Sequence, residues 1–321
     1  MATRQGGKRR DLDAELAALR ALDPTGPGAE VTLRAALRSK VGLEVGVAAG
    51  IVAAAGLAAL VDELVPAFTR LLAAGSKGDP GCRGKIAIVH ALHALGRWAD
   101  EVFVAGLHHV QVEGYSPEDT AAELRGLCGL AHAQHGRDDA PIVLAHLLAD
   151  PERVTRVAAA RGVADAGREG GVPLLHFKLL TGDDHAEVLA ACAEALLHLT
   201  PDGAATFLQG LLSEHDERSE VVALALGGAR VVGAVDTLQA WCVGASPEQR
   251  HRVGYLALAL TRAEPALGYL LDAVASHGEV SALAATRALV TFRDDPGLLA
   301  RLRAAITEQP APLRRRLGEL L

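Results

Sequence analysis

Residues 151–180 read PERVTRVAAARGVADAGREGGVPLLHFKLL. The order is an acidic start, Val154-x-Arg156, the alanines 158–160, a glycine turn, and then Val172-Pro173-Leu174-Leu175. This pattern predicts two helices, 152–166 and 172–180, folded back on each other across the turn. The stretch does not stand alone. Aligning the apolar residue that closes each second helix gives Leu148, Leu180, Leu212, Val243, Val274 and Ile306, with steps of 32, 32, 31, 31 and 32 residues. A constant period of this length marks stacked helical hairpins, each burying its apolar face on the next.

Working outward, the same alternation predicts helix pairs 119–134 with 140–148, 185–199 with 203–212, and 219–232 with 235–243. It continues as 247–261 with 265–274 and 279–292 with 297–306. Two looser units, 31–72 and 80–107, come before them, and no strand alternation stands out. The expected fold is all-α, an α-solenoid (armadillo-like superhelix) of about eight hairpins. Residues 1–28 form a basic N-terminus with a short helix and a Pro/Gly linker, 29–321 the array, 76–125 an irregular insertion, and 310–321 a cap over the last apolar face.

Residues 151–180 resemble the HEAT-like repeat named after phycobilisome lyases, and the neighbouring units match more loosely. The resemblance implies a HEAT-like solenoid over residues 30–306, whose second helices line a concave partner-binding groove. It carries little about activity, since such repeats serve unrelated proteins. Deoxyhypusine hydroxylases resemble this architecture but carry repeated His-Glu pairs for two irons, and no His-Glu dipeptide occurs here. No residue pattern singles out a bilin site, and there is no phosphate-binding loop or nucleophile elbow.

Composition fits the fold. Half of the 321 residues are hydrophobic but only 3% are aromatic, so Ala and Leu supply the apolar surface. The formal net charge is −7, unevenly spread: residues 41–286 carry 17 basic and 30 acidic side chains. That balance argues against nucleic acid as a partner, since phosphate contacts call for the opposite sign. Four isolated cysteines, Cys82, Cys128, Cys192 and Cys242, suggest neither a disulfide framework nor a zinc site, and they suit a cytoplasmic location. The uncharged run Val45–Val61 lies just within membrane-spanning length, but its Ala/Gly/Val content between Glu44 and Asp62 predicts a buried helix instead of a span.

Candidate sites are of three kinds. The acidic loops at 150–152, 183–185, 214–217 and 276–279 bring His185, His215 and His277 near repeat spacing. Loops one repeat apart are roughly 10 Å from each other, so capping of the following helices is expected and no metal or cofactor. The insertion holds Asp79, Cys82, Arg83, Lys85, His108, His109, Glu113, Tyr115 and Arg125, and an irregular segment on a rigid frame is where binding groups collect. Cys82, beside Arg83 and near Lys85, is placed for a lowered thiol pKa. The third kind is a slot two residues before each closing residue, holding Arg70, His146, Lys178, Gly210, Trp241 and Asp272. If it faces the groove it forms a partner-binding ridge with Trp241 as anchor. The expected function is a non-catalytic scaffold or adaptor for a protein partner. The alternative is a nucleic-acid-binding HEAT-like protein, for instance a DNA glycosylase-like one, with Trp241 and Asp272 as its working pair.

Overall fold

The computed structural model describes residues 12–115, 117–167 and 169–321. The chain is an all-α solenoid-type array, and its described residues form two compact units that divide between Ala166 and Gly167. The basic segment 1–10 lies outside the described residues.

In the first unit the helices are α1 (Leu12–Arg20), α2 (Ala29–Leu37), α3 (Gly42–Ala55), α4 (Leu64–Ala74), α5 (Arg83–Ala94) and α6 (Asp100–Leu107). A two-stranded antiparallel hairpin follows, β1 (Val112–Glu113) and β2 (Glu118–Asp119), with Val112 opposite Asp119 and Glu113 opposite Glu118. Then come α7 (Ala122–Gln134), α8 (Ala140–Leu148) and α9 (Arg153–Asp165). Helices α3, α5, α7 and α9 stack in sequence as one layer, and α4 packs on α6 in the other. The short α1 is not a separate arm: Leu16 and Leu19 are buried, and the helix packs against α3.

The α3–α5 contact is very close. A Cβ built on Gly42 would lie 2.1 Å from Asp79 Oδ1, and one on Gly84 would lie 2.7 Å from the Gly42 carbonyl oxygen. Only glycine lets these backbones meet. The uncharged run beginning at Val45 does not continue as one helix. Helix α3 ends at Gly56, which takes the left-handed conformation (φ 61°), and a 3-10 turn, Ala58–Glu63, follows. Among the described residues no helix is long and apolar enough to cross a membrane.

The second unit contains α10 (Val172–Thr181), α11 (Ala186–Leu199), α12 (Pro201–Gly210), α13 (Glu217–Gly228), α14 (Val235–Gly244) and α15 (Pro247–Gln249). A π-helical stretch, Arg250–Gly254, joins α15 to α16 (Tyr255–Thr261), and α17 (Glu264–Ser276), α18 (Glu279–Val290), α19 (Pro296–Thr307) and α20 (Ala311–Gly318) complete the chain. Helices α11, α13, α16 and α18 form the first layer. Helix α20 packs on α18 and α19 with only Leu317 buried.

The hydrophobic register differs from the sequence alignment by one residue in two places. Leu180 is 57% and Val243 67% exposed, whereas Leu179 and Cys242 beside them are fully buried. The repeated core residue is a leucine one turn earlier: Leu144, Leu175, Leu208, Leu238, Leu270 and Leu302, none more than 2% exposed. Its steps are 31, 33, 30, 32 and 32. An extra or missing residue in a loop shifts the helical face by about 100°, so a constant sequence step is a poorer guide than the leucine itself. Each such buried side chain contributes about 1.5–3 kcal/mol.

Candidate functional site

The insertion folds around a buried ion pair. Asp79 precedes a short 3-10 turn (Pro80–Cys82), and its carboxylate accepts the Gly84 and Lys85 backbone N–H groups at 2.7 and 3.0 Å, capping α5. Lys85 points back, with Nζ 3.1 Å from Asp79 Oδ2, and neither side chain is exposed. Lys85 Nζ also donates to Gln111 Oε1 at 2.9 Å, and Gln111 Nε2 donates to the Asp79 carbonyl oxygen at 2.9 Å.

The hairpin is tied to this pair through Glu113. Its Oε1 accepts from the Gly81 N–H at 2.9 Å, from Thr120 Oγ1 at 2.8 Å and from Gln111 Nε2. The Gln111 amide, the Gly81 N–H and Thr120 hold the Glu113 carboxyl below the ordinary carboxylate range. Burial would raise the Asp119 pKa, but the Gln111 N–H, Arg125 and the Ala121 N–H outweigh it and the net shift is downward. Arg125 then joins the insertion to the repeats. Its guanidinium reaches Asp119 at 2.6 Å, the His109 carbonyl at 2.9 Å and both oxygens of Asp150 at 2.8 and 2.9 Å. Burial opposes the Arg125 charge, and Asp150 and Asp119 more than restore it. Asp150 Oδ1 also accepts the Glu152 N–H, at the entry to α9.

Six of the nine insertion residues singled out by sequence thus sit in or against one network: Asp79, Cys82, Lys85, His109, Glu113 and Arg125. Arg83, His108 and Tyr115 lie outside it, exposed. Gln111, Thr120 and Asp150 are central to the network; Asp150 reads in the sequence only as part of an acidic loop, and Gln111 and Thr120 do not stand out there. A glutamine two residues before Glu113, on the same strand face, is the one available signal. The Cys82 expectation is corrected. Burial pushes its thiol pKa up, more than Lys85 pulls it down, so Cys82 is a protonated core thiol 3.8 Å from Thr120 Oγ1. Burial also pushes the Cys192 and Cys242 thiols up to about 12.

Of the acidic loops, 214–217 caps its helix, Asp216 accepting the Ser219 N–H at 2.8 Å. Asp183 accepts the His185 N–H at 2.9 Å just before α11, and the N-cap residues of α9, α11 and α18 make no side-chain cap bond. Among the described residues no three His, Cys, Asp or Glu side chains come together as a metal site.

The expected ridge is divided. Arg70 donates to the Ser39 and Leu37 carbonyls at the end of α2. Lys178 pairs with Asp183 at 2.7 Å. Trp241 is 3% exposed and stacks on His215 with the rings 5° from parallel, so it is a core residue and not an exposed anchor. The one-residue shift explains this. Two residues after each core leucine lie His146, Phe177, Gly210, Ala240, Asp272 and Ala304, all exposed. Lys178 and Trp241 each stand one place past that slot. Of the two residues of the nucleic-acid alternative, Trp241 is buried and Asp272 exposed.

These helical hairpins define a repeat protein of the α-solenoid class. Residues 140–227 match the family model of HEAT repeats, so this segment, from α8 into α13, is similar to HEAT repeats. No curated protein matches the chain.

Proposed function

We propose that this protein is a non-catalytic adaptor that holds a segment of a protein partner against the second helices of its second unit. The observation that carries this reading is the exposure of Phe177, Leu180 and Val243, at 57–67%, beside core positions that are fully buried. Leu180 and Val243 stand at equivalent places, five residues after Leu175 and Leu238. Large apolar side chains repeated at one register position on a rigid array suit an interface more than they suit solvent. The exposed Asp272, in the slot two places after Leu270, supplies a polar contact on the same set of helices. The similarity of residues 140–227 to HEAT repeats supports a binding role of this kind. The insertion supports a non-catalytic reading too, because Asp79 is engaged with Lys85 and Asp119 with Arg125.

The test is affinity capture from native lysate with wild type and with Phe177→Ser/Leu180→Ser, after circular dichroism shows equal folding. A specific protein retained by wild type and lost from the variant is the expected result. Identical captured sets overturn the assignment. Capture of nucleic acid alone, by both, favours the nucleic-acid reading.

A further inference from the structure

The β1–β2 hairpin is amphipathic in the reverse sense. Along Val110–Glu113 the polar side chains point inward: Gln111 is 6% exposed and Glu113 is half-buried in the network around Asp79. The apolar ones point outward, with Val110 61% and Val112 57% exposed, and Tyr115 at the turn wholly exposed. Strand side chains alternate between faces, so the network that draws in Gln111 and Glu113 necessarily turns Val110 and Val112 to solvent. A solvent-facing strand ordinarily carries polar side chains outward.

The strand also has an open edge. Among the described residues its sheet has two strands. The Thr120 N–H donates to the Gln111 carbonyl at 2.9 Å, and Glu113 lies opposite Glu118. Backbone bonding alternates along an antiparallel pair, so the N–H and C=O of Val112 face away from β2. Natural edge strands are protected by Lys, Pro or a covering element. Residues 110–113 contain neither Lys nor Pro, and no described strand pairs with this edge. From Val110 to Glu123 the chain carries four carboxylates and no basic residue. Two of those carboxylates, on Glu118 and Glu123, are exposed. The hairpin is held in place before any partner arrives by the buried Asp79–Lys85 pair and by Arg125, so binding costs it little ordering.

We infer that the outer edge of β1 is a docking site for an extended segment of another protein, which adds as a third strand and alternates apolar with basic side chains. The backbone edge supplies register and hydrogen bonds, Val110, Val112 and Tyr115 the apolar contact, and the acidic balance of residues 110–123 the preference for Lys and Arg. The acidic surroundings disfavour an anionic lipid surface. This site uses residues of the first unit only and stands apart from the reading built on Phe177 and Leu180.

The test is fluorescence anisotropy of the full chain with a labelled octapeptide alternating Val and Lys. The controls are its Val/Glu counterpart and the Val/Lys peptide N-methylated on alternate amides. Val112→Pro is the informative variant, because it deletes an N–H that faces away from β2 and proline is tolerated on an open edge. The Val/Lys peptide is expected to bind at least about tenfold more tightly than the acidic one, and to lose about tenfold on N-methylation or with Val112→Pro. Phe177→Ser/Leu180→Ser should leave this binding unchanged. Equal binding of both charge types, or no effect of N-methylation, overturns the inference, and the second measure does not depend on how the variant folds. Concentration-dependent dimerisation in light scattering that Val112→Pro abolishes would replace the foreign segment with a second copy of this chain and overturn the proposal as stated.

Discussion

Lys85 and Asp79 form an ion pair at 3.1 Å in which both side chains are wholly buried. Such a pair is favourable only when its remaining hydrogen-bonding capacity is used. Here Asp79 accepts two backbone N–H groups and Lys85 donates to Gln111. Removing one partner strands the other charge. Lys85→Met is therefore expected to destabilise the first unit by about 3–5 kcal/mol. The loss should be seen in urea titration, with earlier loss of amide protection in β1 and β2 than in α7. A loss under about 1 kcal/mol would show that the pair is worth no more than an exposed one.

Trp241 and Phe177 should behave in opposite ways. Trp241→Ala empties a core position and is expected to cost about 3–5 kcal/mol. Phe177→Ala removes an exposed ring and should stay within about 0.5 kcal/mol. Thermal unfolding of the two variants separates them, and only the second is useful for reading partner binding. Equal losses would place Phe177 in the core, against its exposure.

The fold is legible in the sequence because its signal is redundant. Six leucines recur at nearly constant spacing, and each helix keeps the same apolar face. The site is less legible because its decisive features are tertiary. The register slips that bury Trp241 and expose Leu180 come from single-residue differences in loops, to which an averaged period is blind. The β1–β2 hairpin reads as loop in the sequence because its strands are two residues long and its outward side chains are the apolar ones. Charge positions such as Asp79, Lys85 and Arg125 stand out in the sequence, but their mutual engagement does not. Arg125 meets Asp150, 25 residues away, only because α7, α8 and α9 stack.

Two glycines of α3 should respond to alanine in opposite directions. A Cβ at Gly42 would press on Asp79 Oδ1, and α3 would have to move off α5. Overpacking of this kind costs about 1–3 kcal/mol. Gly50 is exposed, and no atom lies within 4 Å of the place a methyl group would take there. Gly50→Ala therefore gains helix propensity and is expected to stabilise by about 0.5–1 kcal/mol. Chemical denaturation of both variants checks the pair, and a stabilising Gly42→Ala would contradict the close α3–α5 contact.

Acid should weaken the protein in two separate steps. Burial holds the pKa of His109, His135 and His251 below the ordinary 6.5; an Arg250 charge adds to this for His251 and His93 for His135. The unfolded chain therefore takes up protons near pH 6.5 that the folded chain refuses. Their contribution is complete above that pH and declines as the pH falls below it. Glu113 and Asp119 are also lowered, below the ordinary 4.5 and 3.8, but in their case because the charged form is favoured. Their contribution is complete above those values and is lost as the pH drops through the lowered folded values. Each proton linked in this way gives a slope of up to about 1.4 kcal/mol per pH unit. Calorimetry from about pH 7.5 to 3 should show a first fall in Tm that sets in as the pH drops below about 6.5 and a second below about pH 4.5. His109→Gln should flatten only the first, since Gln neither titrates nor needs to lose a charge beside Gln111. A first step of equal size in the variant would assign it wholly to the other two histidines.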